Sequence, residues 1–193
     1  MKRILVTAIG GDIGQSIAQC LRHYDKDLFL IGTDSHQKHG GSLFVDEFFT
    51  VPSAKDPDYL NAISDIIKSN HIDVTIPINE NELKLLANLS HDLKLIQCGK
   101  KIINTGLDKL ATMEFFKILG IDVPWTINAD NEQPYDFPCI MKLRFSSGSR
   151  SIFIINSIAE AKFFSDKYPG CVFQELLEPF EKEITCGLYR TME

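Results

Sequence analysis

Apolar residues along the first hundred positions fall into two rhythms. Short runs of aliphatic and β-branched side chains at residues 2–8, 28–32, 72–78 and 93–98 have the length and composition of buried strands, and 45–52 makes a further short strand closed by Pro52. Between them, apolar positions recur at helical spacing: over about 15–22, then from Asp56 through Tyr59, Leu60, Ile63, Ile66 and Ile67, then through Leu83, Leu85, Leu86 and Leu89 after Asn79-Glu80-Asn81-Glu82. Strands alternating with helices predict a parallel, doubly wound α/β sheet with ligands at the carboxyl ends of its strands. That rule gathers Gly10, Gly11, Asp34, Asn79 and Glu80 at one crevice as candidate substrate-binding residues, although acids in the first turn of a helix are favoured by its dipole in any case.

The organisation changes near Thr105-Gly106, which divides the chain into expected domains at 1–105 and 106–193. A helix over 108–119 carries Leu110, Met113, Phe116 and Ile118 or Leu119 as its buried stripe and stops at Gly120, a left-handed cap. A strand at 123–127, a polar connector at 128–135, a strand at 137–141 and another at 151–155 follow. Ser157 caps a helix through Ala159, Ala161, Phe163 and Phe164, and strands at 171–176 and 183–188 complete an α+β pattern.

Chemistry concentrates between residues 137 and 155. Lys142 ends an apolar strand, and Ser146-Ser147-Gly148-Ser149 supplies small side chains, backbone N–H groups and hydroxyls that can converge on an anion. A solvated hairpin turn would use the same residues.

The net charge of −6 leaves no basic stripe to displace counterions from nucleic acid, and no apolar run is long enough to span a bilayer. The N-terminus reads as a strand and not as a secretion signal, so a cytoplasmic location is expected. Five widely spaced cysteines, Cys20, Cys98, Cys139, Cys171 and Cys186, favour reduced core thiols over disulfides, and the five histidines form no metal-ligand pair.

The turn Ile9-Gly10-Gly11-Asp12-Ile13-Gly14 between the first strand and helix, with Asp34 20 residues after Gly14, is the spacing of a dinucleotide site: glycines for the pyrophosphate, the acid for the ribose. A nicotinamide-dependent oxidoreductase is therefore one reading. The glycines run G-G-x-x-G and not G-x-G-x-x-G, and the Tyr-x-x-x-Lys of a short-chain dehydrogenase is absent from the sequence.

Four features in order resemble the first half of an ATP-grasp enzyme. These are Asp108-Lys109 opening a helix, Gly120-Ile121-Asp122-Val123-Pro124 closing it, the strand, lysine and serine loop just described, and Gln174-Glu175-Leu176-Leu177 followed by Glu183-Ile184-Thr185. The resemblance, to ligases such as the large subunit of carbamoyl phosphate synthetase, implies a parallel, doubly wound pre-ATP-grasp sheet followed by an incomplete α+β ATP-grasp domain. It implies that Lys109 and Lys142 reach the phosphates of ATP and that Ser146, Ser147, Gly148 and Ser149 form the lid over them. It gives Glu175, with the backbone of Leu176, Leu177 and Glu178, the border of the adenine, and Glu183 the ribose hydroxyls. This requires Lys142 and Glu175 to share a cleft. Glu175 and Glu183 are eight residues apart where the family has seven. The implied reaction transfers a phosphoryl group from ATP to a small carboxylate, and an amine or similar nucleophile then attacks the acyl phosphate. Its Mg2+ ligands are expected beyond residue 193, so the chain reads as part of a longer ligase, without turnover alone and prone to dimerise through uncovered apolar surface. A non-catalytic nucleotide-sensing module is the remaining alternative.

Overall fold

The computed structural model describes residues 1–88, 94–146 and 151–178, together with 182, 184 and 186. The chain divides into two compact units, Met1–Asn104 and Thr105–Glu193. In the first, strands β1 (Arg3–Val6), β2 (Phe29–Asp34), β3 (Glu47–Thr50) and β4 (Val74–Ile76) form a parallel sheet in the order β3-β2-β1-β4. Helix α1 (Asp12–Tyr24) connects β1 to β2 and α2 (Tyr59–Ser69) connects β3 to β4; α3 (Glu80–Leu86) follows β4, and α4 (Lys100–Leu107) runs across the boundary between the units.

Strand alternation sorts the core. Ile4, Val6 and Leu30 pack with Ile9 and with Ala18 of α1, whereas Leu5 and Ile31 pack with Tyr59, Ile63 and Ile67 of α2 and Leu86 of α3. The two clusters lie on opposite sheet faces, which makes the unit doubly wound. The stripe expected on α2 is thus the one that is buried.

The structure departs from expectation in several places. The run at 93–98 is not a regular strand: among the described residues it contributes a single parallel bridge, Thr75 to Leu95, closed by Thr75 N–H to Lys94 O at 2.9 Å and Ile96 N–H to Thr75 O at 3.0 Å. Helix α4 was hidden because Ile102-Ile103 favours strand and Gly106 interrupts a helical pattern. Only Cys139 and Cys171 are core thiols, whereas Cys20, Cys98 and Cys186 are exposed. Burial pushes the Cys139 and Cys171 thiols up to about 11, so both are inert at neutral pH.

The second unit is built on an antiparallel sheet, β5 (Thr126–Asn128), β6 (Cys139–Leu143), β7 (Phe153–Ile155) and β8 (Cys171–Glu175), in the order β5-β8-β6-β7. Helix α6 (Ile158–Lys167), capped by the Ser157 hydroxyl accepting from Glu160 N–H, covers one face. There Ile127, Cys139, Met141, Ile155, Cys171 and Phe173 form the core with Ala161, flanked by the stacked rings of Phe153, Phe164 and Tyr168. Helix α5 (Lys109–Ile118) precedes the sheet and ends at Gly120, whose φ of +73° is the left-handed cap expected. Its stripe is not a buried one: Leu110, Met113 and Phe116 are half-buried, and Ile118 and Leu119 are exposed. The strand expected at 183–188 lies largely outside the described residues.

Close packing fixes the first βα turn. A Cβ built on Gly41 would stand 2.1 Å from Ile9 O, whereas one on Gly106 meets nothing within 4 Å. Gly41→Ala is expected to lower the unfolding free energy of the first unit by about 1–3 kcal/mol in urea titration, and Gly106→Ala, in the second unit, to leave that unit's unfolding free energy unchanged or raise it by up to about 1 kcal/mol.

Candidate functional site

The site begins with one carboxylate. Asp108 Oδ1 accepts from Leu110 N–H at 3.1 Å and Ala111 N–H at 3.3 Å, satisfying two of the orphan donors at the start of α5. The same group receives Arg144 as a fork, Nε to Oδ1 at 2.8 Å and Nη2 to Oδ2 at 2.7 Å. Arg144 follows β6 directly, and its carbonyl accepts from Lys109 N–H at 3.2 Å. The start of α5 is therefore tied to the end of β6 by side chain and backbone together. The guanidinium holds the Asp108 carboxyl below the ordinary carboxylate range against the opposing effect of burial.

Lys109 then reaches Ser146, donating to its carbonyl at 2.6 Å and its hydroxyl at 3.1 Å, while that hydroxyl donates to Leu143 O at 3.1 Å. Two expected phosphate-binding elements, the helix-start lysine and the first serine of the loop, meet here. Ser147, Gly148, Ser149 and Glu183 lie outside the described residues.

Lys142 stands on the sheet face opposite the α6 core. Register sets Lys142 beside Val172 and Ile140 beside Gln174, so Ile140, Lys142, Val172 and Gln174 share that face while Cys139, Met141, Cys171 and Phe173 share the other. Lys142 Nζ donates to Gln174 Oε1 at 2.7 Å.

Glu175 falls on the α6 side, directly beside Cys139. Its Oε2 accepts from Trp125 N–H at 3.2 Å, and with Leu176 it lines a cavity of about 210 Å3 bounded by Trp125, Phe137 and Pro138. Lys142 does not line that cavity. The expectation that the Lys142 and Glu175 side chains share a cleft is therefore incorrect. The physical reason is parity: with Cys139 paired to Glu175, Lys142 stands an odd number of residues along and faces the other way. What remains of the base-reading assignment is the backbone from Glu175 to Glu178, with the half-buried Leu176 and the exposed Leu177 just after β8.

In the first unit the crevice candidates are only partly brought together. Asp34 Oδ2 accepts from Gly10 N–H at 2.9 Å and Oδ1 from His36 N–H at 2.9 Å, so the acid expected on a ribose instead ties its own loops. A Cβ on Gly10 would stand 2.8 Å from Asp34 Oδ2 and 3.0 Å from the His39 ring, which shows that the chain itself fills the space over this glycine. Asn79 caps α3, accepting from Asn81 N–H at 2.8 Å and Glu82 N–H at 3.4 Å. Glu80 is exposed in the first turn of α3, where the helix dipole favours an acid.

Glu82 is the acid that turns inward. It is 5% exposed and accepts from Thr7 Oγ1 at 2.6 Å, while Thr7 Oγ1 accepts from Ile78 N–H at 3.2 Å. Burial raises its pKa, and the nearby Asp34 charge adds to the rise, against hydrogen bonds that oppose it. Beside it, the fully buried Tyr59 hydroxyl completes no hydrogen bond among the described residues, and burial followed by the Glu82 charge drives its pKa up. The signal that separated Glu82 from Glu80 was the helical period: Glu82 stands four residues before the buried Leu86. Gln174 belonged to a recognised motif but its contact with Lys142 was missed, as were the roles of Thr126 and Arg144, since no sequence pattern announces a cross-strand partner. A surface cavity of about 790 Å3, lined by Gln19, Cys20, Arg22, His23 and residues 43–46, holds none of the expected site residues.

The sequence model of the PylC-like N-terminal domain matches residues 4–103. The chain belongs to that family. Nothing matches among curated proteins. Its fold is shared with N5-carboxyaminoimidazole synthetase from Staphylococcus aureus complexed with ADP, at 22% identity and a TM-score of 0.70, covering 91% of this chain and 48% of that one. It is shared also with L-amino acid ligase from Bacillus licheniformis, at 12% identity and a TM-score of 0.73, covering 92% and 44%. A third likeness is the biotin carboxylase domain of 2-oxoglutarate carboxylase from Hydrogenobacter thermophilus, with MgADP, ADP and bicarbonate, at 18% identity and a TM-score of 0.65, covering 92% and 44%. The chain spans about half the length of these structures. Family and fold together are those of the N-terminal part of an ATP-grasp enzyme.

Two acids give opposite pH dependences. Asp108, with its folded pKa lowered, contributes stability that is present above its unfolded value of 3.8 and lost as pH falls. Glu82, with its folded pKa raised, contributes stability that is full below its unfolded value of 4.5 and lost as pH rises through the folded one. Asp108→Ala is expected to cost about 2–3 kcal/mol at neutral pH, from the cap and the stranded Arg144. Glu82→Gln is expected to remove the decline that begins above 4.5, with urea unfolding from about pH 2 to 8 as the check on both variants.

Proposed function

We propose that the second unit is the N-terminal part of the nucleotide clamp of a ligase that activates a carboxylate with ATP. The observation that carries this is the seating of Lys109 on Ser146, which joins the cation of α5 to the loop that follows β6. In such a site Lys142 and Lys109 attract the oxygens of the triphosphate by charge-assisted hydrogen bonds, and the serine loop adds donors. Local cations are needed because the net charge of −6 repels an anionic ligand at long range. The Glu175 side chain, which faces away from Lys142, is left out of this site, and the reading stands instead on the Glu175–Glu178 backbone, which offers N–H and C=O groups to the base.

In the proposed reaction, a carboxylate oxygen of the acceptor attacks the γ-phosphorus, the bond to the β-phosphate oxygen breaks, and ADP leaves. An amine or similar nucleophile then adds to the acyl carbon, loses a proton and expels inorganic phosphate. The protein's part is to place and neutralise the phosphates, since phosphoryl transfer is governed by positioning and electrostatics. Among the described residues no group of three His, Cys, Asp or Glu side chains fits a metal ion, so no step is assigned to magnesium here. Its ligands, like the acceptor site, are proposed to belong to the half of the fold that the relatives contain and this chain does not span. A small carboxylate as acceptor is supported by the bicarbonate bound in the Hydrogenobacter relative. A soluble cytoplasmic setting accords with the absence, among the described residues, of a helix long and apolar enough to cross a membrane. Pairing of two copies over uncovered apolar side chains such as Ile118 and Leu119 is part of the same proposal.

Calorimetric titration with ATP is expected to show binding, with Lys142→Ala weaker by about 1.5–3 kcal/mol, the range for a hydrogen bond to a charged group. NADH is expected to give no heat and no fluorescence enhancement. Unchanged ATP affinity in Lys142→Ala, or NADH binding in place of ATP, overturns the reading.

A further inference from the structure

Resting on that nucleotide reading, we propose that Gln174 and Thr126 are positioning residues for Lys142, forming a directional hydrogen-bond line that fixes where its ammonium group stands.

The line starts at backbone. Thr126 Oγ1 donates to Pro124 O at 3.1 Å, which commits its single proton. The same oxygen must then accept, and it does so from Gln174 Nε2 at 2.8 Å. With its NH2 group turned to Thr126, the Gln174 amide presents its oxygen to Lys142, and Nζ donates to that oxygen at 2.7 Å. Only one orientation of the amide is open once Thr126 is set: a flipped Gln174 would aim an NH2 group at an ammonium and a carbonyl at a hydroxyl whose proton is spent.

Burial gives the line its strength. Thr126 and Gln174 are 7% and 9% exposed, so leaving either polar group without a partner costs a desolvation penalty. Register supplies the alignment, because Thr126 sits directly across from Gln174 in the β5–β8 pair and Lys142 is two residues along β6 from Ile140, which also faces Gln174. A lysine stem has four rotatable carbons and loses much entropy when a ligand orders it. Holding Nζ beforehand lowers that cost, and a neutral amide does so without cancelling the ammonium's charge through that contact. A glutamate at 174 would form an ion pair and compete with phosphate for the same cation.

The test separates positioning from nucleotide binding. In the chain without nucleotide, the 15Nζ ammonium signal of Lys142, assigned by its loss in Lys142→Ala, is expected to be slow in hydrogen exchange. It should broaden or vanish in Gln174→Met and in Thr126→Val, and persist in Thr126→Ser, which keeps the hydroxyl. ATP affinity is expected to fall about fivefold in Gln174→Met and in Thr126→Val, the size of one ordinary hydrogen bond. It should fall no further when either is combined with Lys142→Ala. Gln174→Glu is expected to lose more than Gln174→Met and to recover in part with added salt. Circular dichroism checks folding, and if Gln174→Met does not fold, the Thr126→Val and Thr126→Ser pair decides. An ammonium signal indifferent to both Gln174→Met and Thr126→Val overturns the proposal. So does an equal loss of affinity with and without Lys142, which a merely structural role would give. Unchanged affinity in Lys142→Ala instead overturns the nucleotide reading, while a signal that still answers to Gln174 upholds the positioning.

Discussion

In the register that sets Ile140 opposite Gln174, every residue of β6 and β8 is committed to one sheet face or the other. A slip of one residue would send Lys142 into the packing against α6 and bring Met141 out in its place, burying a charge and exposing a core side chain. The aromatic cluster of Phe153, Phe164 and Tyr168 and the buried Met141 and Phe173 hold the register from one side. The Thr126, Gln174 and Lys142 contacts hold it from the other. Packing and polar specificity therefore select the same alignment, and the position of the cation is a consequence of the hydrophobic core behind it.

Asp108 extends that alignment to α5. A cation at a helix start is unfavourable by the dipole, so Lys109 gains nothing from its position on the helix. It is held instead by Ser146, and Asp108 supplies the negative charge that the first turn favours. Because the Arg144 fork and the two capping bonds share one carboxylate, the helix start and the end of β6 cannot be displaced separately. The pair is partly exposed, so its worth lies more in fixing geometry than in raw stability.

How much of this was legible in the sequence follows from which interactions are local. The α5 cap at Asp108, the stop at Gly120 and the Ser157 cap are decided within four residues of chain, and the residue types name them. The doubly wound sheet was legible because a two-sided core forces alternation of period over long stretches. Glu80 against Glu82 was harder, since both are favoured in a first turn and only the position of Leu86 tells which one turns inward. The face of Glu175 and the existence of the Lys142 to Gln174 bond depend on the pairing of strands 32 residues apart in sequence, and no local preference encodes it. The family resemblance supplied the lysine but not its partner, because the resemblance carries motifs and the partner comes from register.

The glycine turn shows the same limit from the other direction. Gly10, Gly14 and Asp34 have nearly the spacing of a dinucleotide site, and that spacing arises because a strand turning tightly into a helix needs small residues wherever another group comes close. Here the approaching groups belong to the chain itself: His39 and Asp34 against Gly10, and Ile9 against Gly41. Asp34, held by two backbone N–H groups, stitches the loops after β1 and β2 together. A pyrophosphate or an acidic side chain satisfies the same N–H donors, so the motif reports a close approach without saying what approaches. In this protein the turn is filled by the chain's own side chains, while Lys142 on β6 and Lys109 at the start of α5 are held by Gln174 and Ser146.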